Sequence, residues 1–494
     1  MVYINKYRFS TLLLWLNILC NIYLLRSQEI WSNSYGSTGW EIAYSVQYLD
    51  NDGYLITGLT TSFGMGMDDI LVLKTNLSGD VQWCRTYGGM SHDRAYSLMP
   101  TQDENFLIIG SSSSYSNGNT DAWIVKVNSW GDTIWTINIG GQEGDEAYFG
   151  CETNDNSYLI AGATGFIGHS QSKVWIIKIS TTGDTLWTKT YGRGAANSMY
   201  QTLDGGYMIG GYTYPTNINS DMLIIKINSD GDSLWSKEYG GSADDWGYSI
   251  CPSLDGGFVI LGASWLESGY FLQLVKFNVN GDTIWTKILS ETDASLPSKV
   301  IAVPNSGYLV CGNSMMPGDK RGYLCLIDSL GNMVWFKTYG GLNHDYFLDV
   351  KLIQNNGFIL SGGTHSYSFG LSDFWLIKTD NWGNTADSTK KIKLPITKID
   401  YDNQTQNTFD LDQNYPNPFN PLTRITYSLP YSNTVSLIIF DLSGKKVHTL
   451  VNEYQTVGNY SVDFDASNLS GGIYFYQLKV GNNFVATKKM IVAR

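Results

Sequence analysis

A tryptophan behind a tight Gly-Asp or Gly-Asn turn returns about every fifty residues along this 494-residue chain. The copies include GDVQWCRTYGG from Gly79, GDTLWTKTYG from Gly183, GDSLWSKEYGG from Gly231, GDTIWTKILS from Gly281 and GNMVWFKTYGG from Gly331. The series is Trp31, Trp83, Trp135, Trp187, Trp235, Trp285 and Trp335, at intervals of 52, 52, 52, 48, 50 and 50 residues. Such a period fits a propeller blade, a single small sheet that cannot bury both faces by itself.

Each unit holds four strand patterns. In the first, WSNSYG at Trp31 precedes AYSVQYL at Ala43, a DNDG turn, YLITGLT at Tyr54 and DILVLKTN at Asp69. Asn, Asp and Gly in the hairpin turns supply the positive φ that tight turns demand. The strands AWIVKVN, VWIIKIS and MLIIKIN are almost wholly apolar, as expected of strands covered on both faces by neighbouring blades.

Turns stand at Gly79, Gly131, Gly183, Gly231, Gly281, Gly331 and Gly383, and the last leads into no tryptophan strand. WSNSYG, conversely, has no turn before it. Both mismatches disappear if Trp31–Gly36 pairs beside Asp373–Thr379, which also removes the exposed edge of an open array. The expected fold is therefore all-β: a seven-bladed β-propeller over residues 28–384, closed by the N-terminal strand, with each tryptophan wedged between blades. The DGGY and distal-Trp pattern resembles kelch repeats, and GDxxWxKxYGG resembles the tryptophan-docking repeats of quinoprotein dehydrogenases. These resemblances imply architecture rather than activity.

Residues 385–411 are polar and outside the repeat, and are expected to be a linker. Residues 412–494 alternate strand patterns with Gly and Asn turns, as a small Ig-like β-sandwich does. The segments NYPNPFNP, IFDLSGKKV, LSGGIYFYQL and the closing KKM resemble the C-terminal sorting domain of the type IX (Por) secretion system, related to the Ig-like domain of flagellar hook-capping proteins. The motif positions are Asn417, Pro418, Phe419, Asn420, Pro421, Gly472 and Tyr474. The resemblance implies export by that machinery, with the product secreted or anchored at the outer-membrane surface.

At the other end, Lys6 and Arg8 precede an apolar run from Thr11 to Leu25. This is the pattern of a signal peptide over residues 1–27, leaving no transmembrane span in the mature chain. A net charge of −13 argues against nucleic-acid binding and against docking on anionic lipid. Cys84, Cys151, Cys251, Cys311 and Cys325 are too few and too scattered for a disulfide framework. A Cys311–Cys325 bridge is conceivable, but buried free thiols are preferred. A monomer is expected.

Little in the motifs points to catalysis. His92, His169, His344, His365 and His448 form no metal-ligand spacing, so no metal and no cofactor are expected. No Gly-x-Ser-x-Gly elbow occurs. The loop after most tryptophan strands offers a carboxylate: Glu41, Asp93, Asp145 with Glu146, Asp244 with Asp245, Asp293 and Asp345. Of these, Glu41, Asp93, Asp145, Asp244 and Asp345 are the candidate ligand-binding residues, for a cation or a polyhydroxylated ligand, or for paired-carboxylate glycoside chemistry. Their recurrence favours turn capping, because a structural need repeats in every blade and a catalytic need does not. Lys74, Lys126, Lys178, Lys226, Lys276 and Lys378 recur too, and read as lysines at the solvated ends of apolar strands. Trp40, Trp246 and Trp265 break the repeat and are where sugar stacking would be sought. The first functional reading is a non-catalytic module binding a glycan or protein. The alternatives are an extracellular polysaccharide lyase or glycosidase and, behind it, a quinoprotein-like oxidoreductase. Units four and six, where the loop pattern lapses, are where asymmetry is expected.

Overall fold

The computed structural model describes residues 30–493 except 166–170, 215–218, 267–268, 290–294, 315–320, 354–356, 395–409, 430–432, 456–457 and 482–483. The leader expected over 1–27, and with it the segments around His169 and Asp293, lie outside the described residues. The chain divides into two compact units, one carrying the repeats and one the C-terminal strands.

Six four-stranded sheets and one five-stranded sheet carry the repeats among the described residues. Their first strands are Glu41–Leu49, Asp93–Pro100, Asp145–Glu152, Ala195–Gln201, Asp245–Pro252, Ser295–Val303 and Asp345–Leu352. Six sheets run in simple chain order. The seventh takes three strands from residues 345–379 and a fourth from Trp31–Gly36. In that antiparallel pair Trp31 stands opposite Lys378 and Tyr35 opposite Phe374, and the Trp375 indole N–H donates to Ser32 Oγ at 3.1 Å. The stretch expected as a linker is ordered at its start. Lys390–Lys393 runs parallel to Trp31–Gly36, with Asn33 opposite Lys390. Its physical reason is the unpaired edge that Trp31–Gly36 would otherwise expose.

Apolar side chains pack between consecutive sheets. Leu159 and Ile176 share a core with Ile209 and Ile225, Ile224 with Ile260 and Val275, and Leu274 with Val310 and Cys325. Leu309 and Leu324 meet Leu360 and Ile377, while Tyr54 and Leu71 meet Ile359 and Phe374. Each such buried side chain is worth about 1.5–3 kcal/mol. Among the described residues all five cysteines are free. Cys311 pairs with Leu324 and Cys325 with Val310, so successive side chains send the two thiols to opposite faces of the sheet.

The repeated motif is a dock between neighbouring sheets. Trp, Lys and Tyr at i, i+2 and i+4 lie on one face of the fourth strand and meet the Gly-Asp turn of the next unit. A side chain at Gly231 would stand 2.6 Å from the Trp187 ring, and one at Gly281 would stand 2.8 Å from Trp235. Trp31, Trp285 and Trp335 lie likewise against Gly79, Gly331 and Gly383. Tyr191, Tyr239 and Tyr339 donate to the carbonyls of Gly231, Gly281 and Gly383 at 2.5, 2.8 and 2.6 Å. Lys189 and Lys237 pair with Asp232 and Asp282 at 2.7 and 3.0 Å. At the N-terminal strand, Tyr35 donates to Gly79 O at 2.6 Å. Of the seven tryptophans Trp31 is buried and the other six are partly buried.

The lysine series on the third strands differs from its expected solvated setting. Lys74, Lys178, Lys226 and Lys276 are buried and clip the hairpin turn of their own sheet, reaching Asp52, Asp155, Asp204 and Asp255 at 2.9, 2.6, 2.7 and 2.6 Å. Lys126 and Lys378 are buried as well. The hydrogen bond from Lys226 holds the Asp204 carboxyl down to about 2.

In the C-terminal unit, a three-stranded and a four-stranded sheet share one core that includes Ile425, Tyr427, Leu437, Tyr476 and Met490. This two-sheet arrangement is a small sandwich. The NPFNP segment closes one edge of it. Phe419 is buried and exchanges backbone hydrogen bonds with Ile491 and Ala493 at 3.0 and 2.8 Å. Asn417 Oδ1 accepts from the Ile491 N–H at 2.8 Å, Ala466 N–H donates to Pro421 O at 2.9 Å, and Tyr474 Oη donates to Ser470 O at 3.0 Å.

Candidate functional site

Every first strand of the repeat sheets carries a β-bulge at the same place. The extra residue is Tyr44, Tyr96, Tyr148, Asn197, Tyr248, Ser298 or Leu348, in chain order. A glycine on the second strand makes room for it. At Gly58, for instance, a Cβ would strike the carbonyl of Ile42. The bulged residues and their neighbours line one cavity of about 160 Å³ to which all seven first strands contribute. Tyr96 meets Tyr44 edge-on at 5.5 Å and Tyr148 at 5.3 Å. The tyrosine series fails in units four, six and seven.

Charge enters the cavity on one side only. Lys299, Asp349 and Lys351 are its charged lining residues. Asp349 accepts from Val46 N–H and Ser45 Oγ at 3.1 and 3.2 Å, which ties the last first strand to the first. Lys351 stands 3.4 Å from Asp349. The Lys299 ammonium lies 4.8 Å from the centre of the Phe149 ring. Burial, then Lys351, holds the Lys299 amine down to about 8.

A second polar group involves units one to three. Asp68 pairs with both His92 Nδ1 and Arg94 Nε. Tyr148 Oη donates to Glu146 at 2.8 Å, and burial raises the Glu146 carboxyl. Around the last sheet, Trp40, His344, Tyr346 and His365 form a ring cluster, with the two imidazoles 5.6 Å apart.

Four of the five candidate acids, Glu41, Asp93, Asp145 and Asp345, open first strands and are buried. Each accepts a backbone N–H from four residues earlier: Ser37, Gly89, Gly141 and Gly341, at 2.9, 2.8, 2.8 and 2.9 Å. Thr60 and Thr364 add hydroxyl donors at 2.9 and 2.5 Å, and Ser112 adds another. In unit five that place belongs to Asp245, which accepts from Gly241 N–H at 2.8 Å. Asp244 instead caps Ser220, accepting its N–H and hydroxyl at 2.9 and 3.0 Å.

Sequence reasoning missed the partners of these acids. Asp373, Asp69, Asp121 and Asp221 open third strands and face Glu41, Asp93, Asp145 and Asp245 across Gly36, Gly88, Gly140 and Gly240, where a Cβ would collide with both carboxylates. In each of the four partners Oδ1 is buried without a donor. Burial, then the facing carboxylate, raises Asp69 to about 8, while burial foremost raises Asp373 to about 7; Asp121 and Asp221 are raised too. A recurrent Asp just before the apolar run, as in DDILVLK, TDAWIVK, SDMLIIK and SDFWLIK, was the available signal.

Unit five carries an open groove of about 540 Å³ lined by Ser242, Asp245, Ser264, Trp265, Gln273 and Ile288 among others. Trp265 is 46% exposed. Its ring is held edge-on against Tyr270 at 4.8 Å, and its backbone N–H donates to Asp244 O at 2.9 Å. Ser264 bridges Asp245 and Gln273 Oε1. Trp246 instead packs against Tyr212 at 4.5 Å and Tyr214 at 6.1 Å.

Regulatory protein FlaEY of Caulobacter vibrioides is 21% identical over 216 residues, 37% of this chain and 23% of that protein. The chain thus spans less than a quarter of the length of this curated relative. Three solved structures match part of the chain. A polysaccharide lyase of family PL25, an ulvan lyase, matches at 9% identity over 71% of this chain and 96% of its own, with a TM-score of 0.47. Plexin A of Drosophila, in complex with Semaphorin 1b, matches at 8% over 70% and 87%, with a TM-score of 0.44. Sqt1 of Chaetomium thermophilum matches at 11% over 67% and 81%, with a TM-score of 0.41. Residues 413–493 match the family described as the secretion system C-terminal sorting domain, which agrees with the small sandwich and its closing NPFNP segment. That domain marks the protein for export by the type IX system, as a secreted or outer-membrane-surface protein.

Proposed function

We propose that residues 28–384 form a closed seven-bladed β-propeller that serves outside the cell as a non-catalytic binding module, taking a glycan in the groove of unit five. The carrying observation is Trp265, an indole held in place by Tyr270 at the wall of a groove with serine, glutamine and carboxylate groups. A rigid apolar ring beside fixed polar groups suits the alternating CH and OH faces of a sugar. The pairing of Trp31–Gly36 with Asp373–Thr379 and the cavity shared by seven first strands support the closed ring.

The test is a polysaccharide panel against the full chain, with adsorption and product release scored separately. Adsorption without turnover, lost at least tenfold in Trp265→Ala, is the expected result. Unchanged adsorption in that variant removes the groove from the proposal.

A second reading, an extracellular lyase or glycosidase, draws on the gathering of His92, Arg94 and Asp68 with Tyr148 and Glu146. A carboxyl raised by burial and hydrogen-bonded to a phenol is the kind of group that serves in proton transfer. Product release that disappears in Glu146→Gln while adsorption persists would favour it.

A further inference from the structure

We propose that the cavity shared by the seven first strands binds a small carboxylate monoanion, held by the Lys299 ammonium with Lys351 beside it. This goes beyond the groove of unit five and does not depend on it. Two ammonium groups and one carboxylate line the cavity, so two positive charges less one negative leave a surplus of one. Asp349 is already spent on Val46, Ser45 and Lys351. Among the described residues the Lys299 ammonium makes no hydrogen bond or close ion pair; it lies over the face of Phe149, with Asp349 acting on it from farther off. An ammonium in such a setting gains from any anion that reaches it.

The size of the space narrows the ligand. About 160 Å³ corresponds to roughly five waters at about 30 Å³ each, below the range of larger organic ligands. Burial and then Lys351 lower the proton affinity of Lys299, Asp349 offsets them only in part, and an anion in the cavity would stabilise the protonated amine.

Cyanate and acetate probe this in the full chain. Cyanate carbamylates neutral amines, and peptide mass mapping reads the product at each lysine. At pH 8 Lys299 is expected to react, and 100 mM acetate is expected to slow that reaction at least tenfold relative to chloride at equal ionic strength, while exposed Lys390 is unaffected. Acetate is also expected to raise Tm relative to chloride in the native chain and in Lys299→Arg, and not in Lys299→Met. Failure of cyanate to reach Lys299, or labelling there that acetate leaves unchanged, overturns the proposal. So does an equal acetate gain in a folded Lys299→Met chain. If Lys299→Met does not fold, the labelling of the native chain decides alone.

Discussion

The fourth strands and the first strands of the repeat sheets are built under different constraints. The fourth strands of Trp187, Trp235 and Trp335 present Trp, Lys and Tyr to the next unit's turn, where the partner is a glycine, its carbonyl and an Asp or Asn side chain, while Arg85, Ile137 and Leu289 depart from the set elsewhere. The first strands share a bulge and its facing glycine, yet the bulged residue ranges from tyrosine to asparagine, serine and leucine. The bulge is demanded by the backbone, whereas its side chain lines a shared cavity and finds a different partner from unit to unit. Repetition marks what holds the units together, and its lapse marks where chemistry is free to differ between units.

The largest effect is expected at a dock. Trp235→Ala removes a half-buried indole from the turn at Gly281 and is expected to cost about 2–3 kcal/mol, read by denaturant unfolding. A loss below about 0.5 kcal/mol would mean that the indole does not clamp neighbouring units. Next is Gly231→Ala, where φ is 80° and the Trp187 ring stands against the added carbon. It is expected to cost about 1–2 kcal/mol.

The carboxylate pairs give a pH signature at the junctions. Asp69 and Asp373 are raised to about 8 and about 7, so the folded chain holds their protons more tightly than the unfolded chain. Stability is therefore full below the unfolded value near 4, falls as pH rises through 7 and 8, and then levels off. Asp69→Asn supplies a neutral amide donor to Asp93 and is expected to flatten part of that slope, raising Tm by a few degrees at pH 8 and hardly at pH 5. A slope unchanged in the variant would remove Asp69 from the pH response. The smallest effects separate the two kinds of strand again. Lys237→Met breaks an exposed ion pair and is expected to leave denaturant unfolding almost unchanged. Ser298→Ala in the cavity is expected to stay within about 0.5 kcal/mol.

Much of the architecture is legible in the sequence because the tryptophan spacing is a packing requirement written once per unit. The pairing of Trp31–Gly36 with Asp373–Thr379 follows from one unmatched turn and one unmatched strand, and it appears in the sheet. The linker was harder to read, since nothing in KKIK announces that an edge strand waits for a partner. The acidic residues were visible as a series, but their partners were not. A lone Asp at a strand start looks like a turn residue until topology brings Asp69 against Asp93. The lysines misled for a related reason: their ammonium groups reach back to an exposed aspartate while the stems stay buried. Lys299 had no repeat to single it out, and its importance comes from what the other six first strands place around it.

The pairing that completes the last sheet is open to a direct chemical test. Ser32 and Ile377 stand opposite each other though 345 positions apart (377 less 32). Cysteines placed at both sites, in Ser32→Cys with Ile377→Cys, are expected to join on mild oxidation, giving a cross-linked peptide by mass spectrometry. The same oxidation of Ser32→Cys with Leu376→Cys, one register step away on the opposite face, should give none. A chain in which neither pair joins, or both join equally, would contradict closure by the N-terminal strand.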